Sequence, residues 1–129
     1  MAVNFPAATG DVLSAAAFNG LVAYSLNAQT GTTYTTVLAD SYQMLITQSN
    51  ASANAIKIPT NASVAHPIGT VITVLNIGAG VCTISAVTSG TTTILSAGAT
   101  AAAPTLAQYK SAACIKTGTD TWYIVGSIA

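Results

Sequence analysis

The stretch of sequence that decides the fold is Asn54–Ala86, NAIKIPTNASVAHPIGTVITVLNIGAGVCTISA. It contains three short apolar segments, separated by a loop between two prolines and by a Gly-Ala-Gly turn. In the first segment Ile56 and Ile58 alternate with smaller or polar residues, which is the period-2 pattern of a half-buried strand. Pro59 ends this segment because proline has no N–H to donate to a neighbouring strand. The stretch therefore predicts three consecutive β-strands.

The second and third strands of the stretch differ in their patterns. In Thr70–Ile77 apolar residues occupy both parities, so we expect both faces of this strand to be covered. Gly78-Ala79-Gly80 permits a tight reversal of the chain. This turn predicts a hairpin into Val81–Val87.

The chain after residue 30 contains further strand-like segments, bounded by turn-forming residues. Outside the central stretch these are Thr33–Leu38, Tyr42–Thr47, Thr92–Ser96, Thr105–Tyr109, Ala112–Thr117 and Thr121–Ile128, the last two joined by a hairpin turn at Gly118-Thr119-Asp120. Regularly spaced strands without intervening helices are typical of an antiparallel sandwich or barrel. We predict an all-β knob over residues 31–129, a single antiparallel, jelly-roll-like β-sandwich of about eight or nine short strands, with Thr105–Tyr109 paired to Ala112–Thr117.

Residues 1–30 predict an N-terminal extended arm followed by a short helix. Asp11 or Ser14 caps a helix that runs to Asn27, because apolar residues recur there at three- and four-residue spacing. Such a helix is marginal alone in water, so its apolar face packs either on its own β domain or on neighbouring subunits. Both alternatives stay open. The residues assigned to an anchor or trimer contact are Val3, Phe5, Phe18, Leu21, Val22 and Tyr24.

Charged residues are rare, at 5% of the chain, and three lysines balance three aspartates. A surface without clustered Lys or Arg cannot hold a polyanion by counterion release, which argues against nucleic acid and anionic membranes as partners. No apolar run approaches the length of a membrane span. A lone monomer with so little charge is poorly solubilised. We therefore expect much of the surface to be buried against other subunits.

The supply of catalytic groups argues against an enzyme. One histidine, three aspartates and no glutamate provide neither a carboxylate pair nor a cluster of metal ligands. A nucleophile elbow is missing, and His66 precedes Pro67 in a loop, so a hydrogen-bonded loop histidine is favoured over a catalytic one. Gly78-Ala79-Gly80 lacks the Lys-Ser/Thr and the helix of a phosphate-binding loop. We predict a protein without catalytic activity, cofactor or metal.

Cysteines and aromatic residues allow weaker expectations. Cys82 and Cys114 stand far from metal-ligand spacing, and buried free thiols are favoured over a disulfide. Trp122 and Tyr123 point to opposite faces of the last strand, so one is expected in the core and the other at an interface or in a shallow binding patch. Aromatic clusters also bind sugars, which keeps a receptor-binding alternative open.

An ordered series of short motifs runs through residues 31–127. Its members are Tyr34-Thr35, Asp40, Asn50 to Asn54, Ile58-Pro59, His66 to Thr70, Gly78 to Gly80, Thr83-Ile84, Gln108-Tyr109 and Asp120 to Gly126. In this order the motifs resemble a family of small virion proteins of tailed bacteriophages, found as capsid decoration (cement) proteins, head fibres and tail-fibre modules. The family pattern has an aromatic residue at the position of His66. We assign Asn61 and His66 to an exposed contact loop.

The resemblance implies a β-sandwich that works as a trimer on the outside of a particle, without catalytic residues. A compact knob with an arm fits a decoration protein better than a fibre, which needs a shaft and a receptor tip. The expected function is a cement protein that binds the major capsid protein as a homotrimer on the capsid exterior and stabilises the lattice. The alternatives are a head-fibre or tail-fibre module that binds a host receptor or surface glycan, and a minor tail or baseplate component. The N-terminus lacks the features of a secretory signal, which predicts synthesis in the host cytoplasm.

Overall fold

The computed structural model describes residues 14–15, 24–42 and 44–129. Almost all of the regular structure in these residues is β, which confirms the all-β prediction. The strands are β1 (Ser25–Gln29), β2 (Thr33–Thr35), β3 (Met44–Gln48), β4 (Asn54–Ile58), β5 (Val71–Asn76), β6 (Cys82–Ala86), β7 (Thr93–Ser96), β8 (Thr105–Leu106), β9 (Ser111–Gly118) and β10 (Thr121–Gly126), with a 3-10 helix at Leu38–Ser41.

The strands form two mixed sheets, a six-stranded sheet in the order β1-β3-β5-β9-β10-β7 and a four-stranded sheet in the order β2-β4-β6-β8. From β1 to β6 consecutive strands alternate between the sheets. Each of these strands therefore runs in the same direction as the previous strand of its own sheet. The neighbouring pairs β1-β3, β3-β5, β2-β4 and β4-β6 are parallel. The antiparallel prediction is wrong for these pairs and for β7-β10. It holds for β5-β9, β9-β10 and β6-β8.

The Gly78-Ala79-Gly80 turn is not the predicted hairpin, because β5 and β6 lie in different sheets. It is a corner that passes close to the preceding corner of the chain. Gly78 and Gly80 donate their backbone N–H groups to the carbonyls of Gln48 and Asn50 at 3.1 and 2.9 Å. A Cβ at either glycine would overlap the backbone of Asn50 or Ser52. Glycine is needed here for close approach rather than for a reversal within one sheet.

The second predicted hairpin is confirmed, since β9 and β10 pair antiparallel around Gly118-Thr119-Asp120. The predicted pairing of the segment at Thr105 with β9 is wrong. That segment is the short strand β8, and it pairs with β6 in the other sheet.

The N-terminal helix prediction is wrong for its last residues. Ser25, Leu26 and Asn27 belong to β1, whose parallel pairing with β3 overrides the helical spacing. The β region thus begins before the predicted boundary at residue 31. The assigned anchor residues Val3, Phe5, Phe18, Leu21 and Val22 lie outside the described residues.

One cluster of buried apolar side chains includes residues of both sheets. Its members are Ile46, Ile72, Val74, Ile94, Ala112, Cys114, Trp122 and Ile124 from the six-stranded sheet and Ile56, Ile58, Cys82, Ile84 and Leu106 from the four-stranded sheet. Trp122 is in this core and Tyr123 is partly exposed, as their opposite parity predicts. Cys82 and Cys114 are buried free thiols, as expected.

Candidate functional site

The exterior of the six-stranded sheet is a surface without charged side chains. Alternation along each strand turns one set of side chains towards the core and the other set outwards. The outward set, called here the outer face, consists of Leu26, Ala28, Leu45, Thr47, Val71, Thr73, Leu75, Thr93, Leu95, Ser111, Ala113, Ile115, Thr117, Thr121, Tyr123 and Val125. None of these residues is charged.

Register places most of the apolar members of the outer face in two rows across the strands. One row contains Val71, Ile115, Tyr123 and Leu95, and the next contains Leu26, Leu45, Thr73, Ala113 and Val125. Leu26 remains 65% exposed and Val125 49% exposed. Apart from Thr73, the side chains of both rows are apolar, and large exposed apolar patches mark interaction sites on proteins.

The two faces of strand β5 differ in how far their side chains are buried. Its apolar pattern predicts cover on both faces, yet only the inward residues Ile72 and Val74 are buried, while Val71 is 40% exposed. The expectation is met for one face. On the outward side of β5, in the middle of the outer face, Thr73 and Leu75 are half-buried and Val71 is exposed.

A shallow groove adjoins the outer face at its β7 and β10 end. Its volume is about 420 Å3, and most of its lining is apolar. The lining includes Leu95, Tyr123, Val125 and Ile128. The groove gives the outer face a concave element that a protruding apolar side chain fits.

The exterior of the four-stranded sheet has a different character. Its outward residues are Thr33, Thr35, Ala55, Lys57, Thr83, Ser85 and Thr105. The ammonium group of Lys57 donates a hydrogen bond to the Ser85 hydroxyl at 2.9 Å. Hydroxyl groups and a charge suit this surface to water. Of the two sheet exteriors, only the outer face is suited to a dry contact.

The assignment of His66 to an exposed contact loop is wrong. The side chain is only 2% exposed, and its ring packs edge-to-face on Trp122 with centroids 5.5 Å apart. Nδ1 forms a hydrogen bond with the Ser41 hydroxyl, and Nε2 lies 3.1 Å from the Thr36 hydroxyl. His66 thus fills an aromatic position in the core, and two hydroxyl groups satisfy its nitrogens.

Burial is the main cause that lowers the pKa of His66 below its usual value, and the charge of Lys116 adds to the effect. The negative charge of Asp40 acts in the opposite direction. The neutral ring is therefore the favoured form. Nε2 faces a threonine hydroxyl instead of a carboxylate, so the Ser41–His66 pair lacks the acid that stabilises an imidazolium in a catalytic triad.

Asp40 holds together the segment that carries Thr36 and Ser41. Its buried carboxylate accepts hydrogen bonds from the Val37 backbone N–H at 2.8 Å, the Asn27 amide at 3.0 Å and the Tyr34 hydroxyl at 2.7 Å. Burial and the bond to Asp40 raise the pKa of Tyr34 to about 12. The Asp40 carboxylate thus accepts hydrogen bonds from three donors, and one of them is the backbone N–H of the residue before the 3-10 helix.

Lys116 is a buried polar residue that the sequence interpretation missed. It lies on β9 in the same parity as Ala112 and Cys114, points into the core and is 2% exposed. Its Nζ donates hydrogen bonds to Asn61 Oδ1 and to the His66 carbonyl, both at 2.7 Å. The Trp122 ring lies 6.0 Å from Nζ. The repeated buried parity of β9 was the signal that would have found this lysine.

The electrostatics of Lys116 are dominated by burial, which lowers its pKa, while the negative charge of Asp120 partly opposes the shift. Asp120 also contacts Asn61, the residue that Lys116 binds. Its Oδ1 accepts the backbone N–H of Asn61 at 2.8 Å and the Thr92 hydroxyl at 3.3 Å. Asn61 is therefore held from two sides, by Lys116 through its side chain and by Asp120 through its backbone.

Two exposed tyrosines stand apart from this cluster. Tyr24, the one assigned anchor residue within the described part of the chain, is 59% exposed and directly precedes β1. Tyr109 is 75% exposed and adopts a φ of 65°, which is uncommon for a residue with a side chain. Both aromatic rings are exposed.

In the part of the chain that the structure describes, no three His, Cys, Asp or Glu side chains are grouped to hold a metal ion. Within the same residues, no helix has the length and apolar character needed to cross a membrane. Comparisons with protein-family models, curated proteins and solved structures found no match.

Proposed function

We propose that this chain is a structural subunit of a virus particle that assembles through its outer face. The observation that carries the proposal is the contrast between the two sheet exteriors, one apolar and free of charge and the other polar. Burial of apolar surface contributes about 25 cal/mol per Å2. No charge on the outer face has to be desolvated when it is covered, so contact there is favourable without ion pairs.

The resemblance of residues 31–127 to small phage virion proteins gives the proposal its specific form. The two sheets stack as a β-sandwich around the shared core. The protein is a capsid decoration (cement) protein on the virion exterior, synthesised in the host cytoplasm, and binds as a homotrimer to the major capsid protein. Because it binds the assembled lattice and not the dispersed subunits, it stabilises the lattice by mass action. The segment that includes Val3, Phe5, Phe18, Leu21, Val22 and Tyr24 serves as the anchor to the coat or to neighbouring copies.

A matched pair of charge substitutions tests the role of the outer face. Val125→Lys places an ammonium group in the second apolar row, and Thr35→Lys places the same group on the exterior of the four-stranded sheet. We expect the wild type and Thr35→Lys to be trimers by light scattering, to cosediment with undecorated capsids and to delay their disruption by heat. Val125→Lys should be a monomer and should fail to bind. Full decoration by Val125→Lys would refute the assignment.

The salt dependence of binding gives a second test of the same proposal. Exposed ion pairs weaken as the Debye length shrinks from roughly 10 Å at 0.1 M salt to 3 Å at 1 M. A contact without charged side chains contains no ion pairs that salt can weaken. The fraction of capsid sites that are occupied should therefore stay nearly constant over this range of salt concentration. A steep loss of occupancy would show that ionic contacts hold the protein on its partner.

A fibre module that binds a host glycan is the second candidate, and Tyr109 is the observation that favours it. An exposed ring on a backbone with positive φ is a costly arrangement, and such arrangements cluster at binding sites. In this alternative, Tyr109→Ala abolishes binding of the purified protein to host cells or polysaccharide, while Tyr24→Ala is the control. Absence of cell binding by the wild type would eliminate it.

A further inference from the structure

We propose that Lys116 and Asn61 react with each other to form an intramolecular isopeptide bond between Nζ and Cγ. The first support is distance. Nζ lies 2.7 Å from Asn61 Oδ1. Because a C=O bond is about 1.23 Å long, Nζ lies at most about 3.9 Å from Cγ. This limit is close to the range of about 3 to 3.5 Å that reacting atoms occupy before attack.

The second support is the state of the amine, which must be neutral to act as a nucleophile. Lys116 is 2% exposed, so a charge on its Nζ is poorly solvated. The Trp122 ring, 6.0 Å from Nζ, acts in the opposite direction because an aromatic face attracts a cation. A neutral amine has two N–H donors and one lone pair, whereas the ammonium form has three donors. The structure gives Nζ two acceptors, Asn61 Oδ1 and the His66 carbonyl. Burial also lowers the pKa of Lys116, which favours the neutral form.

The third support is the fixed position of the Asn61 backbone. The backbone N–H of Asn61 donates to Asp120 Oδ1 at 2.8 Å. Asp120 in turn lies in the turn between β9 and β10, four residues after Lys116 on the same hairpin. The amine and the carboxylate that holds the Asn61 backbone therefore belong to the same hairpin. Asp120 is a positioning residue in this reaction.

The reaction balances with the groups present. The lone pair of Nζ attacks Cγ of Asn61, and the Cγ–Nδ2 bond breaks. The departing amide nitrogen takes up a proton lost by Nζ, so the products are a secondary amide and one molecule of ammonia. Oδ1 remains the carbonyl oxygen, and no oxidant, reductant or cofactor takes part.

The mass of the intact wild-type protein tests the proposal without any variant. We expect the mass to fall short of the sequence mass by one ammonia molecule. Trypsin cleaves after free lysine, so acylation of Lys116 should block cleavage there. Residues 58–110 should then remain joined to residues 111–129 under denaturing, reducing conditions. A full sequence mass with normal cleavage after Lys116 would overturn the proposal. Loss of ammonia with the two peptides separate would also overturn it, because that result indicates cyclisation at an asparagine.

Three variants identify the reacting groups. Asn61→Asp should lose water instead of ammonia and should reach the same final mass as the wild type, since both give the same amide. Lys116→Met should retain its full sequence mass, while the matched control Lys110→Met, at an exposed lysine, should still lose ammonia. Asp120→Asn should slow the loss of ammonia in freshly expressed protein while its circular dichroism spectrum stays that of the wild type. Bond formation in Lys116→Met would refute the assignment of the nucleophile.

Discussion

Acidification should destabilise this protein through a single side chain, His66. The ring is buried among Trp122, Ser41 and Thr36, and Lys116 donates a hydrogen bond to its carbonyl. Charging the ring would place an imidazolium in the core, away from water. Asp40 is the opposing charge, and its carboxylate is already bonded to three donors. Asp120 faces Lys116 and Asn61 instead of the ring.

The sign of the effect follows from the direction of the pKa shift. Folding lowers the pKa of His66 from its ordinary value of 6.5, chiefly through burial. Above that value the ring is neutral in both states, and the contribution to stability is fully present. Below pH 6.5 the His66 ring is protonated in the unfolded chain but stays largely neutral in the folded chain. The free energy of unfolding therefore decreases as the pH falls towards the pKa of the folded state. At one pH unit below the unfolded pKa, the loss reaches about 1.4 kcal/mol if the folded ring stays neutral.

Urea unfolding at about pH 7.5 and about pH 5.5 measures this loss directly. The free energy of unfolding of the wild type should decrease, by at most about 1.4 kcal/mol, with an unchanged m-value. The chain contains one histidine, so His66→Gln removes the only side chain whose usual pKa lies in this range. That variant should be less stable at both pH values and should show no pH dependence between them. Equal stability of the wild type at both pH values, or an equal loss in His66→Gln, would refute the reasoning.

Three further predictions concern packing, reactivity and the Asp40 cluster. Gly80→Ala should lower the free energy of unfolding by at least about 2 kcal/mol, because its Cβ would overlap the Ser52 carbonyl. The control Gly90→Ala has nothing within 4 Å of the new methyl group and should change the free energy of unfolding by less than about 0.5 kcal/mol. Equal effects of the two substitutions would contradict the close-approach role of Gly80. Burial raises the pKa of Cys82 to about 11 and of Cys114 to about 12, so neither thiol should react with a disulfide reagent near pH 8 until urea is added, and rapid labelling of the folded protein would refute this. Asp40→Ala should cost about 3 kcal/mol by leaving three donors unpaired, whereas Tyr34→Phe should cost about 1 kcal/mol; a similar cost for both variants in chemical denaturation would show that the carboxylate does not organise the cluster.

The positions of the strands were predictable from the sequence, but their partners were not. Alternation in Asn54–Ile58 reports which side chains are buried, and this period-2 signal is the same for parallel and antiparallel neighbours. The Gly78-Ala79-Gly80 turn permits a hairpin, and only the position of the preceding corner shows that the glycines serve close approach. At β1 a helical spacing and a strand alternation overlap within a few residues, and pairing with β3 decides between them.

The candidate site was only partly predictable for a related reason. The low content of charged residues predicted surface buried between subunits, and this stays a prediction. The composition did not show that the outer face is the surface without charged side chains. The parity of β9 marks Lys116 as inward, yet its partner Asn61 lies 55 residues away in a segment that does not pair with β9. The prediction for His66 was wrong because a residue in a loop, directly before Pro67, was expected to be exposed. Its burial depends on Trp122, which is supplied by the last strand.

The proposed bond and the proposed assembly would stabilise the protein in different ways. Cover of the outer face depends on neighbouring subunits and is lost on dilution. An Asn61–Lys116 bond would instead close a loop of 55 residues that includes β5 to β8, and the chain-entropy model for such a cross-link gives about 4 kcal/mol. It would join the segment after β4, in the parallel part of the fold, to β9 in the antiparallel part. A subunit with this bond keeps its stability before it meets a partner. Val125→Lys should therefore lose assembly while retaining the bond, which separates the two proposals experimentally.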